Sequence, residues 1–120
     1  MAGQNLTGVR RMWAAFFNSW AGFKATWRHE EAFRQECLLV LIGVPLGFWL
    51  GDDAIERALM IGVLFIVIIV ELLNTAVEVT IDRIGFERHE LSARAKDIGS
   101  AAVLTSLLLA GLVWYLMLTD

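Results

Sequence analysis

Three long apolar segments constrain the fold of this 120-residue chain more than any other feature. The longest uncharged segment, 98–118, has about 21 residues, enough for a helix to cross a hydrocarbon core of about 30 Å. Residues 58–81 have a similar length, provided that the glutamates among them face protein or water. Residues 37–51 reach spanning length only if their helix begins near Ala32. The sequence therefore predicts an all-α membrane protein with three transmembrane helices.

Composition and charge support this fold class and orient the spans. Hydrophobic residues make up 58% of the chain, which does not suit a small soluble globule. The single cysteine, Cys37, excludes an intrachain disulfide, and no cleavable signal peptide is expected. Basic residues cluster before span one and between spans two and three, whereas the loop between spans one and two is acidic. The positive-inside rule therefore predicts a multi-pass protein with a cytoplasmic N-terminus and a C-terminus on the outer side.

A further helix is predicted before the first span. Residues 6–28 carry too much charge to cross a membrane, but their large apolar side chains share one helical face. These side chains are Leu6, Val9, Trp13, Phe16, Phe17, Trp20, Phe23 and Trp27. This pattern is typical of an amphipathic helix in the membrane interface. A single membrane domain, 1–120, is therefore predicted to contain an interfacial helix at 6–28 and spans at 30–51, 54–84 and 91–118. An aspartate after Gly51 is expected to cap span two, and Gly85 to end it.

Polar side chains interrupt the second apolar segment near its cytoplasmic end. At about 100° per residue, Glu71, Asn74, Glu78 and Asp82 fall within about 80° of one another on a helix. A lipid-exposed carboxylate in this position costs on the order of 2.5–3.5 kcal/mol, so these acids indicate a functional site. Glu71 and Glu78 are separated by about 10.5 Å along the helix axis. One could hold a metal while the other accepts a proton, an arrangement that suits phosphoryl transfer.

The other polar residues at the same edge fit this chemistry. Oxygen ligands favour Mg²⁺ over zinc, so His29 and His89 need no metal role. Arg94, Lys96 and Asp97 open the predicted third span, where a lysine and the free N–H groups of a helix N-terminus could bind phosphate. Neither GxxxxGK[ST] nor GxGxxG occurs, so the standard nucleotide-binding loops are missing. The residues alone predict an intramembrane acidic site that faces the cytoplasm.

Three motifs together resemble the prokaryotic diacylglycerol kinases, which are small integral-membrane lipid kinases. The segment ELLNTAVEVTID (71–82) looks like the signature of that family. EEAFRQE (30–36) resembles the segment leading into its first span, and RAKDIGSAAV (94–103) resembles the start of its third. The number of spans and the N-terminal surface helix also match, so the resemblance covers nearly the whole chain.

The resemblance implies a homotrimer in the bacterial inner membrane, with active sites between subunits and no nucleic-acid partner. It would transfer the ATP γ-phosphate to the free hydroxyl of diacylglycerol and so produce phosphatidate. Glu71 would be the catalytic base, and Asn74 would help to position the reacting groups. Glu30 and Glu78 would hold the Mg²⁺ ion that accompanies ATP.

The same resemblance implies contacts to both substrates. The nucleotide contacts would be Arg11, Asn18, Glu30, Glu78, Glu87, Arg88, His89, Lys96 and Asp97. The lipid contacts would be Arg11, Ala32, Phe33, Arg34, Gln35, Glu36, Glu71 and Ser100. Asn18 departs from the family pattern, which often has a tyrosine near the adenine at this position.

Other functions compete with this interpretation. Similar small kinases phosphorylate undecaprenol, and the 71–82 motif does not separate the two lipids, although 30–36 looks more like the diacylglycerol type. A proton- or ion-conducting subunit would also place carboxylates in the membrane. A structural oligomer could use the polar side chains to join its helices. Neither non-enzyme alternative explains why Asn74, Asp82, Lys96 and Asp97 match a kinase pattern.

Overall fold

The computed structural model describes residues 7–120, which form four α-helices and contain no strand. The helices are α1 (Gly8–His29), α2 (Glu31–Leu50), α3 (Ala54–Ile84) and α4 (Glu90–Thr119). Helices α2, α3 and α4 are long and apolar enough to cross a membrane. The predicted all-α membrane fold with three spans is thus confirmed. The predicted start of the surface helix at residue 6 lies outside the described residues.

The chain divides between Glu31 and Ala32 into two compact units, and α1 is the helix of the first unit. Its aromatic side chains are exposed, with Trp13, Phe16 and Phe17 each about 60% accessible. Trp13 stacks on Phe17 with ring centroids 6.1 Å apart, and Phe16 meets both rings edge-on. Helix α1 therefore presents a preformed aromatic cluster at its surface.

The ends of α3 follow directly from local sequence signals. Asp53 is the N-cap, and its side chain accepts a 2.9 Å hydrogen bond from the backbone N–H of Glu56. This bond satisfies one of the donors that a helix start leaves free. At the other end Gly85 is the C-cap, and its N–H donates to the carbonyl of Ile81 at 3.2 Å. Both the aspartate cap and the terminating glycine were predicted from the sequence.

Helix α2 approaches α3 through two buried glycines, Gly43 and Gly47. A Cβ atom added at Gly43 would lie 2.5 Å from Leu64 Cδ1, and one added at Gly47 would lie 2.9 Å from Ile61 Cγ1. Small residues four apart allow transmembrane helices to pack closely, which matters because lipid supplies little hydrophobic driving force between them. The helix continues through Pro45 between the two glycines.

The most extensive packing joins α3 and α4. Towards the loop between α2 and α3, Val63, Val67 and Ala110 form a buried apolar cluster. Beside this cluster, Trp114 Nε1 donates a 2.9 Å hydrogen bond to the Met60 carbonyl. We call these five residues the apolar half of the α3–α4 interface. Close packing and this cross-helix bond stabilise the pair and fix the register of the residues nearer the end of α3 and the start of α4.

Candidate active site

The polar stripe of α3 runs from a buried position towards a more exposed one. Glu71 is only 5% exposed, whereas Asn74, Glu78 and Asp82 are half-buried. Asn74 Nδ2 donates to Glu78 Oε1 at 3.4 Å, so these two side chains share a helical face as predicted. The distance is long for a hydrogen bond, and the contact leaves the Glu78 carboxylate with most of its acceptor capacity.

Glu71 has a second buried carboxyl as its neighbour. Glu36 of α2 is 8% exposed, and its carboxyl group lies beside that of Glu71. Two ionised carboxylates in one buried place would repel each other. The sequence comparison placed Glu36 among the lipid contacts but did not pair it with the base. The structure thus places a second buried carboxyl group beside the predicted proton acceptor.

At the exposed end of the stripe, an ion pair connects α3 to α4. Lys96 Nζ lies 2.9 Å from Asp82 Oδ1, and both side chains are about two-fifths exposed. Asp82 had no role in the sequence analysis apart from its place on the stripe. The ion pair gives Asp82 a role, because its carboxylate holds the ammonium group of Lys96, the predicted phosphate-binding lysine, at the edge of the polar face. We call these six residues, Glu36, Glu71, Asn74, Glu78, Asp82 and Lys96, the polar half.

Three buried polar atoms of this region have no hydrogen-bond partner within the described chain: Glu36 Oε2, Asn74 Oδ1 and Thr75 Oγ1. Leaving such an atom unpaired costs about 1–3 kcal/mol. Asn74 also lines a groove of about 410 Å³ whose other walls are apolar, among them Leu73, Val77 and Ile98. An apolar groove with one polar side chain in its wall is typical of a ligand-binding site.

The carboxylate oxygens of this region are the kind of ligand that a hard cation such as Mg²⁺ prefers. Among residues 7–120, no group of three or more His, Cys, Asp or Glu side chains is arranged to hold a metal ion. Mg²⁺ needs no such cluster, because it commonly binds one or two carboxylates together with waters and phosphate oxygens. The half-buried carboxylate of Glu78 meets that requirement. Glu30, the other predicted ligand, is the C-cap of α1 in the first unit.

Helix α4 corrects one expectation about the basic residues. The sequence suggested that Lys96 and its neighbours lie at a helix N-terminus with free backbone N–H groups. The helix instead begins at Glu90, and the Nδ1 atom of its N-cap, His89, accepts from Leu91 N at 3.1 Å. Already at Ala93 the backbone N–H is bonded within the turn, to the His89 carbonyl. Any contact with phosphate at Lys96 must therefore come from its side chain.

The remaining predicted residues lie on surfaces of the two units. In the first unit, Arg11 and Asn18 are exposed on α1. In the second, Glu87, Arg88 and His89 are exposed between α3 and α4, and Asp97 and Ser100 are exposed on α4. At the start of α2, Ala32 and Gln35 are exposed, Arg34 is half-buried and Phe33 is buried. Within the second unit, Glu36 lies beside Glu71, Asn74 contacts Glu78, and Lys96 pairs with Asp82.

Comparison with known proteins shows the family. The family described as prokaryotic diacylglycerol kinase matches residues 17–118. The chain belongs to this family. A diacylglycerol kinase of Escherichia coli (strain K12) is 50% identical over 114 residues, covering 95% of this chain and 93% of the relative. Diacylglycerol kinases of Haemophilus influenzae and Helicobacter pylori (strain 26695) are 49% and 39% identical over 108 and 107 residues. These alignments cover 90% and 89% of this chain, and 92% and 84% of the respective relatives.

The resemblance stated from three motifs is therefore confirmed. Membership of the prokaryotic diacylglycerol kinase family makes the chain a lipid kinase of the membrane, and the polar half is its candidate active site. Two features of this site escaped sequence reasoning: the Glu36–Glu71 contact, and the close approach of the Asn74 side chain to Gly99 of α4. Both depend on the register between helices, for which a single sequence carries no direct signal.

Proposed function

We propose that this chain phosphorylates diacylglycerol to phosphatidate with ATP as the phosphoryl donor. The observation that carries the proposal is a buried carboxyl pair, Glu36 and Glu71, in a membrane-spanning part of a lipid-kinase chain. From this pair, polar side chains lead along α3 to Lys96. Diacylglycerol remains in the bilayer and ATP remains in water, so the two substrates can react only at the boundary. The polar half provides one acceptor inside that boundary and charged groups at its edge.

In the proposed reaction, the oxygen of the lipid hydroxyl attacks the γ-phosphorus of ATP, and Glu71 accepts the hydroxyl proton. The bond from that phosphorus to the bridging oxygen breaks, and ADP leaves. General-base catalysis of this kind contributes roughly 10²- to 10⁴-fold. Glu36 shares the proton that Glu71 receives, and the surrounding apolar residues keep water from competing with the lipid hydroxyl. Asn74 lies between the base and Glu78, where its amide can orient the reacting groups.

The nucleotide end of the site uses the more exposed residues. Glu78 binds the divalent metal, with Glu30 as the second carboxylate that the family resemblance adds. Bound Mg²⁺ would supply charge neutralisation for the phosphates. Lys96 offers an ammonium to the same phosphates. Further nucleotide contacts come from Arg11, Asn18, Glu87, Arg88, His89 and Asp97.

The setting of the site is also part of the proposal. Helix α1 lies on the cytoplasmic surface of the bacterial inner membrane, with its aromatic cluster in the headgroup layer. The lipid contacts are Arg11, the segment Ala32 to Glu36, Glu71 and Ser100. The chain acts as a homotrimer within one membrane domain, with its N-terminus in the cytoplasm and its C-terminus outside.

An assay with purified protein in mixed micelles tests the proposal. The protein is incubated with labelled ATP and Mg²⁺ in four parallel samples: with diacylglycerol, with undecaprenol, with both lipids and with neither. Labelled phosphatidate in the diacylglycerol samples is the expected product. Transfer to undecaprenol alone would replace the proposed substrate, and no transfer to either lipid would contradict the kinase. A liposome flux assay without ATP tests the ion-conducting alternative, which predicts flux where the kinase predicts none.

A further inference from the structure

Gly99 of α4 faces the side chain of Asn74 across the α3–α4 interface. A Cβ atom built on Gly99 would overlap Asn74 Oδ1 and would lie 3.1 Å from Asn74 Cγ. The same Cβ would lie 3.9 Å from Asn74 Cβ, which is an ordinary van der Waals distance. The backbones of the two helices therefore leave room for a side chain at position 99. Only the carboxamide of Asn74 occupies that space.

The surroundings of Nδ2 and of Oδ1 together determine the orientation of the Asn74 carboxamide. On one side its Nδ2 group donates to Glu78 Oε1 at 3.4 Å. Turning the amide over would place Oδ1 against the carboxylate, and two acceptors without a hydrogen repel each other. On the other side Oδ1 is buried without a partner, in the space that Gly99 leaves open. A side chain at position 99 would force the amide out of this arrangement.

We propose that Gly99 is a positioning residue, which seats the Asn74 carboxamide so that its N–H group points to Glu78. This inference rests on the proposed function for its kinetic consequence, because Asn74 and Glu78 are there assigned to the reaction. Gly99 touches neither substrate in this scheme. It acts by lacking a side chain, and its effect passes entirely through Asn74.

Two alanine substitutions in the same helix make a matched pair for the kinetic test. G99A introduces a Cβ that overlaps Asn74, whereas a Cβ added at Gly111 meets nothing within 4 Å. We expect G99A to lower kcat by about ten-fold or more with KM for ATP changed less than about two-fold. G111A should stay within about two-fold of the unmodified chain in both constants. Equal kcat in the two variants would overturn the proposal.

A double variant separates positioning from ordinary helix packing. In N74A the carboxamide is absent, and a Cβ at position 99 then meets only the Cβ of position 74, at an unstrained distance. We therefore expect N74A and N74A/G99A to have equal activity and equal thermal stability. If G99A alone fails to fold, recovery of folding in N74A/G99A supports the proposal. A further loss in the double variant would show that Gly99 serves helix packing and would contradict it.

An NMR measurement tests the orientation of the Asn74 carboxamide without depending on enzyme turnover. The chain has three asparagines, so selective ¹⁵N-asparagine labelling in micelles gives three side-chain NH₂ pairs. N74A identifies the pair of Asn74 by its disappearance. G99A should shift this pair and G111A should leave it in place; an unshifted pair in folded G99A would overturn the proposal. If the unmodified chain phosphorylates no lipid, the proposed function fails while this measurement still decides the role of Gly99.

Discussion

The apolar half and the polar half both join α3 to α4, but with different chemistry, and the polar half also includes Glu36 of α2. In the apolar half, Val67 is completely buried, and the indole N–H of Trp114 donates a hydrogen bond to the Met60 carbonyl. In the polar half, Asn74 Oδ1 is buried without a partner, and so is Thr75 Oγ1 beside it. The apolar half has its contacts satisfied within the chain, whereas the polar half does not.

The apolar contacts stabilise the pair of helices, whereas the unpaired polar atoms are available to bind a ligand. Unpaired buried atoms weaken a fold, and they persist where the surrounding structure holds them for a ligand. The apolar half supplies that support, because it sets the distance and register of α3 and α4 next to the site. Substitutions in the polar half should therefore change activity more than stability, and substitutions in the apolar half should do the reverse.

The largest expected effect is that of E71Q, which removes the proton acceptor from the polar half. Turnover should fall at least about 100-fold, because a neutral amide cannot accept the lipid proton. ATP binding and thermal stability should survive, since the new amide can donate to Glu36 and preserve the buried contact. Rates with labelled ATP and an ATP-binding titration check both parts.

E90Q is the matched control for this change. Glu90 is an acid of α4 whose side chain is 86% exposed and whose contact is with Arg94 on its own helix. Its conversion to glutamine should leave the rate within about two-fold. Retention of more than about a tenth of the rate in E71Q would remove Glu71 from the role of general base.

E78Q should have the next largest effect, and this effect should be confined to the metal requirement. The Mg²⁺ concentration for half-maximal activity should rise by about ten-fold or more, because an amide oxygen is a weaker ligand for a hard cation than a carboxylate. The amide oxygen can still accept from Asn74 Nδ2, so stability should change little. Activity measured across a Mg²⁺ titration tests this, with E90Q again as control. An unchanged titration would count against ligation by Glu78.

The substitution V67A tests whether the apolar half determines stability rather than activity. It removes two methyl groups from a fully buried position and should lower the free energy of unfolding by about 1 kcal/mol. The loss is mostly packing, because lipid is as apolar as the interface and transfer to it contributes little. Activity at a temperature where the variant is folded should remain within about two-fold.

Unfolding by a denaturing detergent, followed by circular dichroism, measures the stability of V67A. V79A is the control, since Val79 lies on the same helix and is 60% exposed. If V67A instead lost most of its activity at unchanged stability, the division between the two halves would be wrong. A stability loss equal in V67A and V79A would show that burial within the chain does not decide the effect.

The sequence predicted those parts of the molecule that local patterns determine. The spans follow from uncharged length, and the ends of α3 follow from Asp53 and Gly85, because a cap needs only residues within one turn. The stripe from Glu71 to Asp82 follows from the helical period alone. Each of these features lies within one helix, so no knowledge of its neighbours was required.

The contacts between helices could not be obtained in the same way. The meeting of Glu36 with Glu71, and of Asn74 with Gly99, depends on how far one helix is shifted and rotated against another. That register is set by side-chain packing between the helices, and a single sequence does not encode it in a readable pattern. The free backbone N–H groups expected beside Lys96 lie instead at the start of α4, because polar residues extend the helix back to Glu90.

The smallest effect is expected for D82N, at the exposed end of the polar half. Asp82 and Lys96 are both about two-fifths exposed, and ion pairs in such positions are weakened by water and salt. The asparagine keeps an oxygen for Lys96 but loses the charge that holds the ammonium in place. KM for ATP should therefore rise by less than about three-fold at low salt, and the difference from the unmodified chain should shrink as NaCl is added. A loss comparable with that of E71Q would instead place Asp82 among the reacting groups, and the polar half would then extend its chemistry to the water-exposed edge.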